Sequence, residues 1–248
     1  MPMSTPSHPL HASTSGSTRT GAKAVRARRF VAVTATAAAA LLIAPHTASA
    51  APTTVADWRF EDTGTKLTDS SGNGNTGTLK NVTTGVSGAS GKAFSFTKTP
   101  SYVTVPSKAT LNPDGGNFKV SVKVNFTVKP SSAVGDYTVI RKGLASNPGG
   151  SWKIEIAQDG RALCNYHKTS SKKVQIVNGP RLNDGKWHTI TCAKTASTVT
   201  LTVDGSSYKV TKTIDSLANT DSVIIGATTT AGEDQYQGKI DDITITKG

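Results

Sequence analysis

The chain has 248 residues, 35% of them hydrophobic and 6% aromatic, and it carries 28 Lys and Arg against 16 Asp and Glu, a formal charge of +12. That is enough chain for one domain with a substantial core and too little aromatic surface for an extended stacking platform. The lysines are scattered among Thr and Ser without a basic cluster, so nucleic-acid binding is not expected.

Residues 1–50 contain no acid and hold Arg19, Lys23, Arg26, Arg28 and Arg29. An apolar stretch over 30–44 follows, then Ala48-Ser49-Ala50. A basic region, a short apolar core and a small-residue cleavage site predict a secretory signal peptide over 1–50. The stretch is shorter than the roughly 20 residues of a transmembrane helix. An uncleaved anchor, or twin-arginine export through Arg28-Arg29, are the alternatives. Residues 51–248 are then expected to be one secreted, extracellular domain with no membrane span. Five bases leave with the signal and no acid does, so 23 bases and 16 acids remain, a charge of +7. This gives weak long-range attraction for acidic surfaces.

Beyond residue 50 helical periodicity is nearly absent. Short alternating runs rich in Val, Ile, Thr and aromatics predict strands over 55–60, 93–96, 102–105, 118–128, 137–142, 152–157 and 162–167. Further strands are predicted over 174–177, 187–194, 199–203, 208–210, 222–225 and 239–246. Asp159-Gly160 and Asp204-Gly205 suit tight hairpins, and the Asn-Pro-Gly segments at 112–116 and 147–150 mark wider loops. Many short strands without interleaved helices predict an all-β, antiparallel two-sheet sandwich. By alternation, Trp152, Ile154 and Ile156 share one face and Lys153 and Glu155 the other. Cys164 and Cys192 both sit among apolar neighbours, on strands expected to be adjacent. An even cysteine count behind an export signal predicts a disulfide, with two buried thiols as the alternative.

Two segments offer oxygen to a hard cation. Ca²⁺ takes six to eight oxygens from carboxylates, amides and backbone carbonyls. The run 69–75 brings Asp69, Asn73 and Asn75 between glycines that can turn carbonyls inward. The closing strand brings Asp241 and Asp242, which alternation sends to opposite faces; Asp241 is the preferred ligand, with Glu61 or Asp62 as a further carboxylate. An Asn/Gly turn beside solvated acids is the alternative reading.

Evidence for catalysis is mostly negative. Glycosidases need two positioned carboxylates, and the only glutamates after the signal are Glu61, Glu155 and Glu233. No nucleophile elbow or P-loop is present. His188 is expected to pack or hydrogen-bond at a strand start, and two histidines without a ligand pattern make no zinc site. Sugar binding would use aromatic faces and short polar side chains. The candidates are Tyr137, Arg141, Asn165, His167, Tyr236 and Gln237, with Trp152 and Trp187 expected in the core.

Asp184-Gly185-Lys186-Trp187-His188-Thr189-Ile190 resembles the Asp-Gly-x-Trp-His signature of laminin-G-like, concanavalin A-like domains. Trp58-Arg59-Phe60, the 69–75 run, Leu201-Thr202-Val203-Asp204-Gly205 and the segment 236–243 follow that family's order, so the resemblance covers 54–247. The cysteine pair also resembles that of exported members. The resemblance implies a jelly roll, often a carbohydrate-binding module, with a structural calcium joining the first loop to an acid on the last strand. The expected function is therefore a non-catalytic module for a glycan or a cell-surface component. A polysaccharide lyase or glycoside hydrolase with an unrecognised site is one alternative, and a structural or adhesive extracellular protein is another.

Overall fold

The structure, a computed structural model, describes residues 51–168 and 172–248. The predicted signal peptide lies outside the described residues.

The described residues form sixteen strands: β1 (Thr53–Trp58), β2 (Lys66–Leu67), β3 (Gly77–Lys80), β4 (Thr83–Ser87), β5 (Lys92–Phe96), β6 (Tyr102–Val105), β7 (Phe118–Asn125), β8 (Tyr137–Lys142), β9 (Ser151–Ile156), β10 (Arg161–His167), β11 (Lys173–Arg181), β12 (His188–Lys194), β13 (Thr198–Val203), β14 (Ser206–Thr211), β15 (Val223–Ile225) and β16 (Gly238–Lys247). Every ladder is antiparallel. The first sheet runs β14-β13-β12-β7-β16-β5-β4, and the second runs β11-β10-β9-β8-β15-β6-β3-β2. The long β16 pairs with β5 through its first half and with β1 through its second, so the two ends of the domain lie side by side. This is the two-sheet sandwich that the alternating runs predict.

Alternation fills the space between the sheets. Val120, Val122, Val124, Ile190 and Leu201 from the first sheet meet Ile154, Ile156, Ala162, Tyr166 and Ile225 from the second in one continuous buried cluster. At roughly 25 cal/mol per Å² of apolar surface removed from water, this burial is the main stabilising contribution. Trp152 lies in that core with 1% exposure. Trp187 does not: it is half-buried at the rim, because β12 begins one residue later, at His188.

The disulfide forms between Cys164 and Cys192, with a Cα–Cα separation of 5.5 Å. Its placement corrects the expectation of neighbouring strands. Cys164 is on β10 of the second sheet and Cys192 on β12 of the first, so the bridge crosses the core and ties the layers together. Both face inward by alternation, which sequence shows, but sheet membership depends on long-range pairing.

Strands β2, β3 and β4 were not expected from the sequence. They are short, half-exposed and poor in alternation. Gly77 lets β3 approach β6, since a Cβ there would press on Val103.

Candidate functional site

The outer face of the second sheet carries a polar cavity of about 420 Å³. Its floor follows from strand register. Lys153, Asn165 and Gln175 stand in one row across β9, β10 and β11, and Ser151, His167 and Lys173 form the next. Their neighbours Trp152, Ile154, Cys164 and Tyr166 point the other way into the core. Glu155 lies further along β9. The segments around Asp136 and Asp234 close that end of the cavity. From Ser151 to Glu155 the strand rises about 13 Å at roughly 3.3 Å per residue.

The polar groups here are unusually buried and incompletely satisfied. Ser151 is 1% exposed, Glu155 4% and Asn165 8%. Among the described residues, four buried side-chain atoms lack a hydrogen-bond partner, and three of them are Ser151 Oγ, Asn165 Oδ1 and His167 Nδ1. Buried polar atoms are almost always paired, and leaving one unpaired costs about 1–3 kcal/mol. Three such atoms lie along one cavity.

Electrostatics differ along the cavity. Glu155 accepts a hydrogen bond from Lys153 Nζ at 2.7 Å, with Thr138 Oγ1 3.4 Å away. Burial nevertheless pushes its carboxyl above the ordinary value, against the pull of Lys153. Asp136 is also pushed up, first by burial and then by the Asp234 charge, while the Gln158 backbone N–H it accepts works in the opposite direction. Thr228 Oγ1 donates to Asp234 at 2.9 Å and lies against Thr138 Oγ1, so hydroxyls run from Asp234 toward Glu155.

Of the expected sugar ligands, the fold brings only Asn165 and His167 into this cavity. Tyr137 and Tyr236 are core residues, 3% and 0% exposed, packed edge-on with each other and with Phe126. This corrects their assignment, since neither offers a ring face to a sugar. Arg141 stands on the outer face beside Lys153 but is buried, with Nε donating to the Thr228 carbonyl. Gln237 lines separate cavities near Thr99 and Phe126. The residues that sequence reasoning missed are Ser151, Lys153, Glu155, Gln175, Asp136 and Asp234. The alternation of β9 already placed Lys153 and Glu155 opposite the core, whereas Asp136 and Asp234 meet only through the fold.

The expected calcium ligands fall into two groups. Asp69 is saturated: Oδ1 accepts from the backbone N–H groups of Asp57 and Ser71, and Oδ2 from Ser71 Oγ and the Asn75 N–H. Asn73 Nδ2 donates to the Thr54 carbonyl and Asn75 Nδ2 to the Val55 carbonyl. The loop carbonyls of Asn73 and Gly74 hold the ammonium of Lys108, at 2.6 and 2.9 Å. The Lys108 ammonium thus sits on these carbonyls and the Asp69 oxygens are engaged, while Asn75 Oδ1 is buried without a partner. Trp58 Nε1 donates to the Asn75 carbonyl at 2.7 Å, which fastens the loop to the core.

Glu61 and Asp241 form the second group, across β1 from that loop. Both carboxylates face the β4–β5 turn. Glu61 accepts from the Lys92 N–H, and Asp241 Oδ2 accepts from Ala89 and Ser90. Gly91, at φ +62°, admits Glu61, because a Cβ there would collide with Oε1. Asp241 is fully buried; burial and the Asp242 charge push its carboxyl up. Asp242 pairs with Lys123 at 2.7 Å on the outer face; a bulge after Asp241, with Asp242 at φ +44°, breaks the alternation expected there and returns Ile243 to the core. Asp62 is occupied by Thr68. Among the described residues, no group of three or more His, Cys, Asp or Glu side chains is arranged to hold a metal.

Comparison with known proteins bears on this geometry. The family model described as the concanavalin A-like lectin/glucanases superfamily matches residues 97–248. No curated protein matches the chain. Among solved structures, the chain is similar to the binding domain of Paraclostridial Mosquitocidal Protein 1, at 17% identity and a TM-score of 0.63, covering 78% of this chain and 48% of that one. It is similar to domain 4 of AbnA, a GH43 extracellular arabinanase from Geobacillus stearothermophilus, at 16% identity and a TM-score of 0.61, covering 79% of this chain and 93% of that one. It is also similar to the binding domain of botulinum neurotoxin serotype G, at 16% identity and a TM-score of 0.61, covering 77% and 47%. The chain spans about half the length of the two toxin binding domains. At these identities the likeness is one of fold.

Proposed function

The chain belongs to the concanavalin A-like lectin/glucanases superfamily, and from that premise we propose that it is a secreted glycan-binding module whose ligand seats on the outer face of the second sheet. One observation carries this reading: Ser151 Oγ, Asn165 Oδ1 and His167 Nδ1 are buried without partners along the same cavity. Sugars are recognised by convergent hydrogen bonds from short polar side chains, and these atoms are of that kind. The arabinanase domain was solved in complex with arabinotriose, and the two toxin structures are described as binding domains. Those descriptions support a binding role. A hydrolase would have its candidate acids in the same place, but Glu155 is engaged by Lys153.

The test is a polysaccharide panel read for retention and for new reducing ends. Retention without turnover, weakened at least about tenfold by Asn165→Ala, is expected. No retention on any polysaccharide, or retention untouched by Asn165→Ala and His167→Ala, would sink the proposal. Reducing ends lost in Glu155→Gln would replace it with the enzyme reading.

Calcium enters as a structural ion, at a different place from the 69–75 loop. The buried Asp241 carboxylate has no ion pair among the described residues, and it shares the 88–92 turn with Glu61. Two carboxylates facing one turn suit a hard cation, with carbonyl oxygens and water completing the shell.

A further inference from the structure

The outer-face cavity is acidic at one end in a protein that is basic as a whole. Residues 51–248 carry +7, yet Asp136 and Asp234 both close the Glu155 end. They pack around Gly135, where a Cβ would meet Asp234 Oδ1 at 2.5 Å. Glu155 has its counter-charge in Lys153. Asp136 and Asp234 form no ion pair among the described residues, and the Lys153 charge reaches Asp136 only at longer range. Their hydrogen bonds are neutral, from the Gln158 N–H at 3.1 Å and from Thr228 Oγ1 at 2.9 Å. Burial and the nearby Asp234 charge disfavour ionisation of Asp136, and a cation placed between the two carboxylates offsets that cost.

A second observation points to a ligand in the same cavity. Asn165 Oδ1 is an acceptor, buried and unpartnered at 8% residue exposure, on the floor of the cavity. Acceptors require donors, so the ligand presents N–H or O–H groups here. Asp234 also lines an adjoining cavity of about 600 Å³ together with Glu233, Gln235 and Gln237. The acidic strip therefore continues beyond the first cavity, as a polymer with repeated positive charges would use it.

We propose that the ligand of this site carries a protonated amine seated between Asp136 and Asp234, which makes it a glycan of free amino sugars and not of neutral or acidic ones. This rests on the glycan-binding reading above and specifies its substrate class.

Isothermal titration with the glucosamine trimer and the N-acetylglucosamine trimer tests it, at about pH 6, where the amine is charged. The free-amine trimer is expected to bind at least about tenfold more tightly, and added salt should erode that preference, since exposed charges are screened. Asp136→Asn and Asp234→Asn should each shrink the preference, and the double variant should bring the two trimers near parity. Equal affinity of the two trimers for the unaltered protein would overturn the proposal, as would a preference that survives the double variant. If a variant fails to fold, the salt series on the unaltered protein decides: a preference indifferent to salt also overturns it. Binding of a neutral polysaccharide with neither trimer bound overturns the amine assignment and leaves the glycan reading standing. No binding of any sugar removes both.

Discussion

His188 turns its Nδ1 to Asp204 Oδ2 at 2.7 Å, while its Nε2 meets Asp184 Oδ1 at 2.9 Å. One imidazole thus links the turn before β12 to the turn between β13 and β14. Asp204 also accepts the Thr189 N–H at 2.8 Å, so the start of β12 is held from both sides. The Asp-Gly-x-Trp-His motif acts here as a clasp on strand pairing.

The clasp makes stability depend on pH. Burial lowers the proton affinity of His188, but the hydrogen bonds and charges of Asp204 and Asp184 outweigh it, and the folded value is raised above the ordinary 6.5. The folded state therefore binds the proton more tightly than the unfolded chain. Its contribution is complete below the unfolded value and is lost as pH rises through the folded one. Melting temperature followed from pH 5 to 9 should fall across this upper window. In His188→Gln that fall should flatten, and an unchanged slope would count against the clasp.

The 69–75 loop gives an acid limb. Burial works against ionisation of Asp69, but backbone N–H groups of Asp57, Asn75 and Ser71 prevail and lower its carboxyl below 3.8. A lowered carboxyl stabilises above the unfolded value and loses that contribution as pH falls through the folded one. Asp69→Asn places an amide N–H against donors and is expected to cost about 2 kcal/mol in urea denaturation. Lys108→Met should cost less, under about 1 kcal/mol, because its ammonium is exposed. Equal losses would mean that the loop is held by its cation and not by its carboxylate.

Strand positions and faces were readable because alternation is local: Trp152, Ile154 and Ile156 fall inward and Lys153 and Glu155 outward as the sequence implies. What alternation cannot give is which sheet a strand joins. That is why Cys164 and Cys192 looked like neighbours on one sheet, and why Tyr236, on a short segment between β15 and β16, looked available to a ligand. The hydrogen bonds of the 69–75 loop were not legible, because oxygen-rich loops serve backbone donors as readily as metals and Lys108 lies 35 residues from Asn73. Asp136 and Asp234 share a site only because the segment between β15 and β16 folds back beside the start of β8, where the Thr138 N–H donates to the Asp234 carbonyl.

The disulfide closes a segment of 28 residues, worth roughly 3–4 kcal/mol on the chain-entropy account. It also fills core volume between the sheets. Cys164→Ala with Cys192→Ala is therefore expected to lose that amount or somewhat more, since cavities add to the deficit. Reduction without substitution isolates the cross-link. If reduced and oxidised proteins share one denaturation midpoint, the bridge contributes packing alone.

Glu61 and Asp241 make the last prediction. Asp241 is buried with a raised carboxyl, so the folded state holds its proton longer than the unfolded chain. Stability contributed at low pH is then lost as pH rises through the folded value. A divalent cation at the 88–92 turn would favour the ionised form and remove that loss. Millimolar Ca²⁺ added to metal-stripped protein should raise the melting temperature by several degrees at pH 7 and by less near pH 4, with Mg²⁺ less effective because it demands a tighter octahedron. Glu61→Gln should weaken the response at least about tenfold in calcium concentration, while Asn73→Ala should leave it unchanged. A response lost in Asn73→Ala but kept in Glu61→Gln would move the ion back to the glycine loop, and no heat of binding at any pH would remove calcium from the account.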